Sequence, residues 1–141
     1  MLTGWRGNRT AFTLLELLTV IIIVGILSAL ALPNLLKMKE KSYDNEAKAS
    51  LKLVQAAEKI YHMQNGFYYP YSSATVTNTL LNSFLKVFLP TSSGAAWNYS
   101  TTTGTGTATA VRNKTAGRRW TITIAAENPT CSSGAADTCI P

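Results

Sequence analysis

Charged side chains are scarce in this sequence, and histidine and cysteine are scarcer still. Asp, Glu, Lys and Arg together make up 14% of the 141 residues, where roughly 25% is usual for a soluble domain. One histidine, His62, and two cysteines leave too few ligands for a zinc site, which normally needs about three or four. We find no phosphate-binding glycine loop and no paired-carboxylate constellation. These absences predict a protein with no metal, no cofactor and no catalytic residues, and disfavour an enzyme.

The apolar residues are concentrated near the N-terminus. From Phe12 to Leu36 the chain reads FTLLELLTVIIIVGILSALALPNLL, and Glu16 is its only charge. As a helix this run is roughly 37 Å long, enough to cross the ~30 Å hydrocarbon core of a bilayer. The residues before it carry Arg6 and Arg9 and no acid. We therefore predict a cytoplasmic leader over residues 1–11 and a transmembrane helix over 12–36.

A secretory signal peptide is the alternative interpretation of the same run. Ala29-Leu30-Ala31 fits the small-x-small cleavage pattern behind a basic start and an apolar stretch. Glu16 argues against this alternative, and so does the apolar run, which continues to Leu36 beyond that cleavage point. The two hypotheses predict different mature N-termini: Leu32 for a signal peptide, and an earlier residue for a retained segment.

The two cysteines lie close together in the sequence. Cys131 and Cys139 enclose SSGAADT, and such a pair in a small domain with a membrane-targeting segment predicts a disulfide formed outside the cytoplasm. Two unpaired thiols in a cytosolic tail are the alternative.

Glu16 is costly in lipid unless it has a partner. The run around it, Ala11-Phe12-Thr13-Leu14-Leu15-Glu16-Leu17, resembles the prepilin processing motif of type IV pilins and of type II secretion pseudopilins. The resemblance implies that a prepilin peptidase cuts between Ala11 and Phe12 and that Phe12 becomes the N-methylated mature N-terminus. It also implies that Glu16 pairs with the Phe12 amine of a neighbouring subunit during assembly. Family members usually carry Gly where this chain has Ala11, which predicts slower or more selective processing.

The resemblance extends to Gly25 and Pro33, at positions where family members carry a Gly and a Pro. It implies that the helix between them loses regular hydrogen bonding in an assembled filament. Independently of the family, Pro33 removes a helical hydrogen bond and Gly25 weakens the helix by about 1 kcal/mol. A kink tolerated in a membrane helix is the alternative for either residue.

After Pro33 the pattern becomes one-sided and continues to Asn65-Gly66, a plausible C-cap. Charged residues, Asp44 among them, are assigned to the polar faces. The apolar face that should pack on a head consists of Leu36, Tyr43, Ala47, Leu51, Val54, Ala57 and Tyr61.

The remainder of the chain predicts a small head. GFYYPY over residues 66–71 predicts a turn covering the core of that head, and Leu81 to Phe88 predicts a short helix stopped by Pro90. Antiparallel strands are predicted at about Trp97–Thr103, Thr107–Arg112 and Trp120–Ala126. The expected fold is α+β: a long N-terminal helix, transmembrane then amphipathic, packed on a small antiparallel sheet, with residues 37–141 forming the helix continuation and the head.

These features and the resemblance predict a structural subunit of a type IV pilus. The subunit would be stored in the inner membrane, cleaved by prepilin peptidase, and built by pilus assembly machinery into a helical homo-oligomeric filament outside the bacterial cell. A disulfide loop and a pilin-like head size favour a pilus subunit over a type II secretion pseudopilin, and a minor pilin is a further alternative.

A DNA-binding module is a further hypothesis, because cations cluster beside an aromatic ring. Such a basic hairpin tip could bind a nucleic acid backbone, although we favour a solvated hairpin without a ligand. The residues concerned are Arg112, Lys114, Arg118, Arg119 and Trp120.

Overall fold

A computed structural model describes residues 12–72, 76–92, 94–113 and 117–132, together with Cys139. A single long helix, α1 (Leu14–Asn65), opens the fold, as the continuous pattern predicts. The chain forms two compact units, Met1–Met38 and Lys39–Pro141, and α1 contributes to both.

The part of the first unit that the structure describes is helical and apolar. Its described side chains, from Phe12 to Met38, are exposed to solvent in the single chain. The 18-residue window that identifies α1 as a candidate membrane span has a mean hydropathy of 2.6, and none of it is buried. By length and composition α1 can therefore cross a membrane.

The second unit contains an antiparallel sheet of four strands in the order β1-β2-β3-β4. The strands are β1 (Trp97–Thr101), β2 (Ala108–Arg112), β3 (Arg119–Ile122) and β4 (Thr130–Ser132). Helix and sheet together confirm the α+β prediction. β4 has no counterpart among the predicted strands, because three residues are too few to show alternation in a sequence.

The core of the second unit lies between α1 and the inner face of the sheet. Ala47, Leu51 and Val54 on α1 are fully buried, as the apolar face predicts, and they form one cluster with Trp97 and Ile122 of the sheet. Burying a side chain such as Leu51 contributes about 2 kcal/mol to the free energy of folding. Leu36 was expected on the same face, but it lies in the first unit and is exposed.

The last predicted strand is too long. Alternation predicts a strand through Ala126, but β3 ends at Ile122. The side-chain amide of Gln55 on α1 donates hydrogen bonds to the carbonyls of Thr123 at 2.7 Å, Ile124 at 3.3 Å and Ala126 at 2.7 Å. These bonds direct the backbone after Ile122 toward the helix, so it cannot continue the ladder.

The short helix is shifted from its predicted position. The structure has α2 (Asn78–Leu85), which begins after Thr77, whose side chain accepts a hydrogen bond from the Leu80 amide. It ends because Lys86 adopts a left-handed conformation with φ 56°. Phe88, predicted on the helix, follows this break and is 95% exposed.

Candidate functional site

Glu16 lies in the first turn of α1 and forms part of a helix cap. The Thr13 hydroxyl accepts a hydrogen bond from the Glu16 amide at 3.2 Å, and it lies 3.4 Å from Glu16 Oε2, to which it can donate. The Thr-x-x-Glu spacing is that of a capping box, but here the Glu16 carboxylate faces the Thr13 hydroxyl and not the Thr13 amide. A carboxylate here is also favoured by the positive end of the helix dipole.

Glu16 forms no ion pair with any residue that the structure describes. Around it lie exposed apolar side chains such as Leu14, Leu15 and Leu17. A carboxylate on an apolar helix is expensive to bury unless a cation approaches it. The Thr13 hydroxyl lies near one oxygen of Glu16, and the remaining hydrogen-bonding capacity of the carboxylate can be used by a group from outside the chain.

Gly25 and Pro33 both lie inside α1. A Cβ atom added at Gly25 would meet nothing within 4 Å, so no close approach within the chain explains this glycine. Pro33 lacks the amide that would donate to the preceding turn. The two residues are therefore placed as predicted, and their role in a filament stays a prediction.

In the head, Arg112 in β2 and Arg118, the residue before β3, are paired with carboxylates of α1. Arg118 Nη1 lies 2.9 Å from Asp44 Oδ1 and 3.2 Å from Glu40 Oε2, and Arg112 Nη2 lies 3.3 Å from Glu40 Oε1. Trp120 Nε1 also donates to Asp44 Oδ1, at 3.3 Å. Both arginines and Asp44 are buried, whereas Glu40 is partly exposed, so this ion-pair network connects α1 to the head at the edge of the core.

Aromatic rings pack against cationic side chains in and beside the ion-pair network. The Arg112 guanidinium lies 4.0 Å from the centroid of the Tyr43 ring and 5.4 Å from that of Trp97, and Lys48 Nζ lies 4.4 Å from that of Trp120. Such cation–π contacts favour the charged side chain in a partly dry site.

The prediction of a basic hairpin tip that contacts DNA is wrong for most of its residues. Arg112 and Arg118 are buried against Glu40 and Asp44. Trp120 is buried as well, since alternate positions of β3 point toward α1. Arg119 is exposed. Lys114 lies outside the described residues. The assignment of Asp44 to a polar face of the helix is also wrong, because Asp44 is fully buried and pairs with Arg118.

Comparisons with known proteins add to this geometry. A model of the prokaryotic N-terminal methylation motif matches residues 6–32, which include Ala11, Phe12, Glu16 and Gly25. The chain is 39% identical over 64 residues to the type IV major pilin protein PilA of Myxococcus xanthus, covering 45% of this chain and 29% of that protein. It is 36% identical over 93 residues to the type II secretion system core protein G of Escherichia coli, covering 66% of this chain and 59% of that protein. It is homologous to type IV pilins and to type II secretion pseudopilins.

The chain spans less than two thirds of the length of these relatives. A shorter alignment, 35% identical over 65 residues, covers 45% of core protein G of Pseudomonas aeruginosa. No solved structure matches the chain significantly. These matches confirm the resemblance inferred from the prepilin motif. Most of the head is characterised by the structure of this chain and not by a comparison.

The structure pairs Cys131 with Cys139, with 6.2 Å between their Cα atoms, which confirms the predicted disulfide. Cys131 lies in β4 opposite Trp120.

Among the residues described, no group of three His, Cys, Asp or Glu side chains is arranged to hold a metal ion. His62 instead stacks on Tyr68, with 4.2 Å between ring centroids.

Sequence reasoning missed one further group, the buried carboxylate Glu58. It lies on α1 beneath the aromatic turn, and its Oε2 accepts a hydrogen bond from the Tyr69 amide at 3.0 Å. Tyr69 is itself buried, which confirms that this turn covers the core. Burial raises the pKa of Glu58 to about 7, although the Tyr69 amide and the Thr101 hydroxyl favour the charged form. The sequence did hold a signal for this burial. Glu58 lies three residues after Gln55, so a helix places both polar residues on the apolar side of α1.

We expect the head to be more stable at pH 5 than at pH 8. A carboxyl whose pKa is higher in the folded state than in the unfolded state favours folding at low pH. This contribution is complete below the unfolded pKa of 4.5 and is lost as pH rises toward 7. The full difference is of the order of 3 kcal/mol. Urea unfolding at a series of pH values, followed by tryptophan fluorescence, measures it.

Glu58→Gln keeps the oxygen that accepts from Tyr69 and removes the titration. This variant should therefore lose most of the stability difference between pH 5 and pH 8. Glu127→Gln, at an exposed position, is the matched control and should behave as the wild type. An unchanged pH dependence in Glu58→Gln would contradict the assignment.

Proposed function

We propose that this chain is the structural subunit of a type IV pilus filament. The single observation that carries the proposal is an exposed apolar helix with one carboxylate, Glu16, beside Thr13 near its start. Such a surface is unfavourable in water and is covered either by lipid or by copies of the same helix. The methylation motif over the same residues supports this interpretation.

In this proposal prepilin peptidase cleaves between Ala11 and Phe12, and the new N-terminus of Phe12 is methylated. The precursor is held in the inner membrane by residues 12–36 until the assembly machinery transfers it to the filament. Glu16 then pairs with the Phe12 amine of a neighbouring copy, so that two charges enter the apolar core as a neutral pair. In the assembled filament the helix between Gly25 and Pro33 loses regular hydrogen bonding, which provides extensibility.

A type II secretion pseudopilin is the second candidate function. The alignment with core protein G of Escherichia coli covers 66% of this chain, so it extends beyond the apolar helix. The disulfide between Cys131 and Cys139 supports a pilus subunit instead. Deleting the chain distinguishes the two functions. Loss of the surface filament would support a pilus subunit, and loss of the secretion apparatus would support a pseudopilin.

Intact-mass and N-terminal analysis of the native protein tests the processing step. We expect a mature chain that starts at Phe12, carries one additional methyl group, and is two hydrogens lighter because Cys131 and Cys139 are bonded. Ala11→Gly should be processed at least as fast as the wild type, because it restores the residue usual before the cleavage site. A mature N-terminus at Leu32 would show cleavage by signal peptidase and contradict the proposal.

A further inference from the structure

An apolar groove of about 340 Å³ lies on the head, between α1 and the end of α2. Leu53 and Ile60 on α1 and Phe84 on α2 line it, and each of these side chains is about half exposed. Lys86 is the one ionised side chain among the described residues that line the groove. An apolar surface of this kind, left open to water, indicates contact with a second apolar surface.

Phe88 is an exposed aromatic residue on a fixed stretch of backbone. Its side chain is 95% exposed, whereas Val87 and Leu89 on either side of it are buried. Asn82 binds both backbone groups of Leu89: its Oδ1 accepts from the amide at 2.7 Å and its Nδ2 donates to the carbonyl at 2.8 Å. The Phe88 ring is therefore held away from the core, and it does not line the groove of its own chain.

The groove and Phe88 are chemically complementary. Aromatic side chains seated in apolar pockets carry much of the binding energy at protein–protein interfaces. A residue whose backbone is already fixed loses little conformational freedom when it binds. We propose that the apolar groove of one copy of this chain receives Phe88 of a neighbouring copy.

The area that this contact buries indicates that the partner is a second copy. One aromatic side chain buries about 150–250 Å², whereas a stable interface needs about 1,200–2,000 Å². An unrelated protein would have to supply the remaining area elsewhere. A second copy supplies it through the exposed apolar side chains between Phe12 and Met38, which rests on the proposed filament function.

The contact joins two different surfaces, so it can repeat from copy to copy. Each chain inserts Phe88 into one neighbour and receives Phe88 from another. Such heterologous contacts build open helical arrays when the rotation between copies does not close a ring. The apolar helices then provide most of the buried area, and the groove fixes how successive heads are placed.

Photo-cross-linking in intact cells tests the proposal. The full chain, with p-benzoylphenylalanine in place of Phe88, replaces the wild-type chain, and the cells are irradiated. We expect covalent bonds from position 88 to residues 53–64 of another copy, located by mass spectrometry. Denaturing gels should show a ladder of dimers, trimers and longer products, because each copy both gives and receives a contact.

Two substitutions of alanine on α1 provide the matched comparison. Ala56 lines the groove, so Ala56→Trp fills the space that the neighbouring ring needs and should lower the cross-link yield about fivefold. Ala49 is exposed on the same helix, as Ala56 is, but does not line the groove. Ala49→Trp should therefore leave the yield unchanged.

Several results would overturn the proposal: no cross-link between copies, cross-links from position 88 to lipid, to another protein or to a different part of this chain, dimers without longer products, or equal yields from the two tryptophan variants. Surface filaments without the expected cross-link would refute the contact and leave the filament function standing. The expected cross-link in cells without surface filaments would support the contact and refute the filament function.

Discussion

Replacement of Glu16 by alanine is expected to lower the yield of assembled filaments about a hundredfold. The physical reason is that the variant leaves the Phe12 amine of the neighbouring copy without a counter-charge inside an apolar core. Removing one partner of a buried ion pair costs about 3–5 kcal/mol, and about 3 kcal/mol already corresponds to that factor. The apolar segment is unchanged, so the amount of subunit in the membrane should stay the same. Quantifying the subunit in sheared filament and membrane fractions measures both.

Two variants separate the charge of Glu16 from its contribution to the helix cap. Glu16→Gln retains the size and the possible contact with Thr13 but not the charge, so it should assemble nearly as poorly as Glu16→Ala. Thr13→Ala removes the cap, which costs about 1 kcal/mol of helix stability, but retains the charge and should still assemble. Normal filament yield from Glu16→Ala would refute the pairing mechanism.

The second large effect is expected at Arg118. Its replacement by alanine leaves Asp44, which is fully buried, without the guanidinium that lies 2.9 Å away. A buried carboxylate deprived of its partner costs about 3–5 kcal/mol, a large part of the stability of a small domain. Urea unfolding of the detergent-solubilised mature chain, followed by fluorescence of Trp97 and Trp120, measures the loss.

Arg119→Ala is the matched control, because Arg119 is the next residue in the chain and is exposed on the opposite face of the sheet. Its effect should stay within about 0.5 kcal/mol. Replacing Asp44 and Arg118 together by leucine should restore part of the stability, since no unpaired charge then remains between those two positions. Equal losses at Arg118 and Arg119 would show that the ion-pair network contributes little.

The adjacent residues Arg118 and Arg119 show where sequence reasoning reaches its limit. In the sequence they are two cations beside a tryptophan, and nothing local distinguishes them. The register of β3 against β2 places Arg119 on the outer face, whereas the carboxylates of Asp44 and Glu40 on α1 draw Arg118 inward. The same applies to Glu58, whose burial depends on the turn that folds over it, and to Gln55, whose three hydrogen bonds end β3 early.

The sequence alone determined the features that depend on neighbours along the chain. These are the apolar helix with its single carboxylate, the amphipathic continuation that ends near Asn65, the α+β class and the pairing of Cys131 with Cys139. Each follows from helical or strand periodicity, or from a short covalent span. Only the tertiary structure decided which polar groups are buried, because their burial depends on strand register and on how the sheet packs on the helix. A shift of one residue in that register would exchange the inner and outer faces of a strand, and no local pattern specifies it.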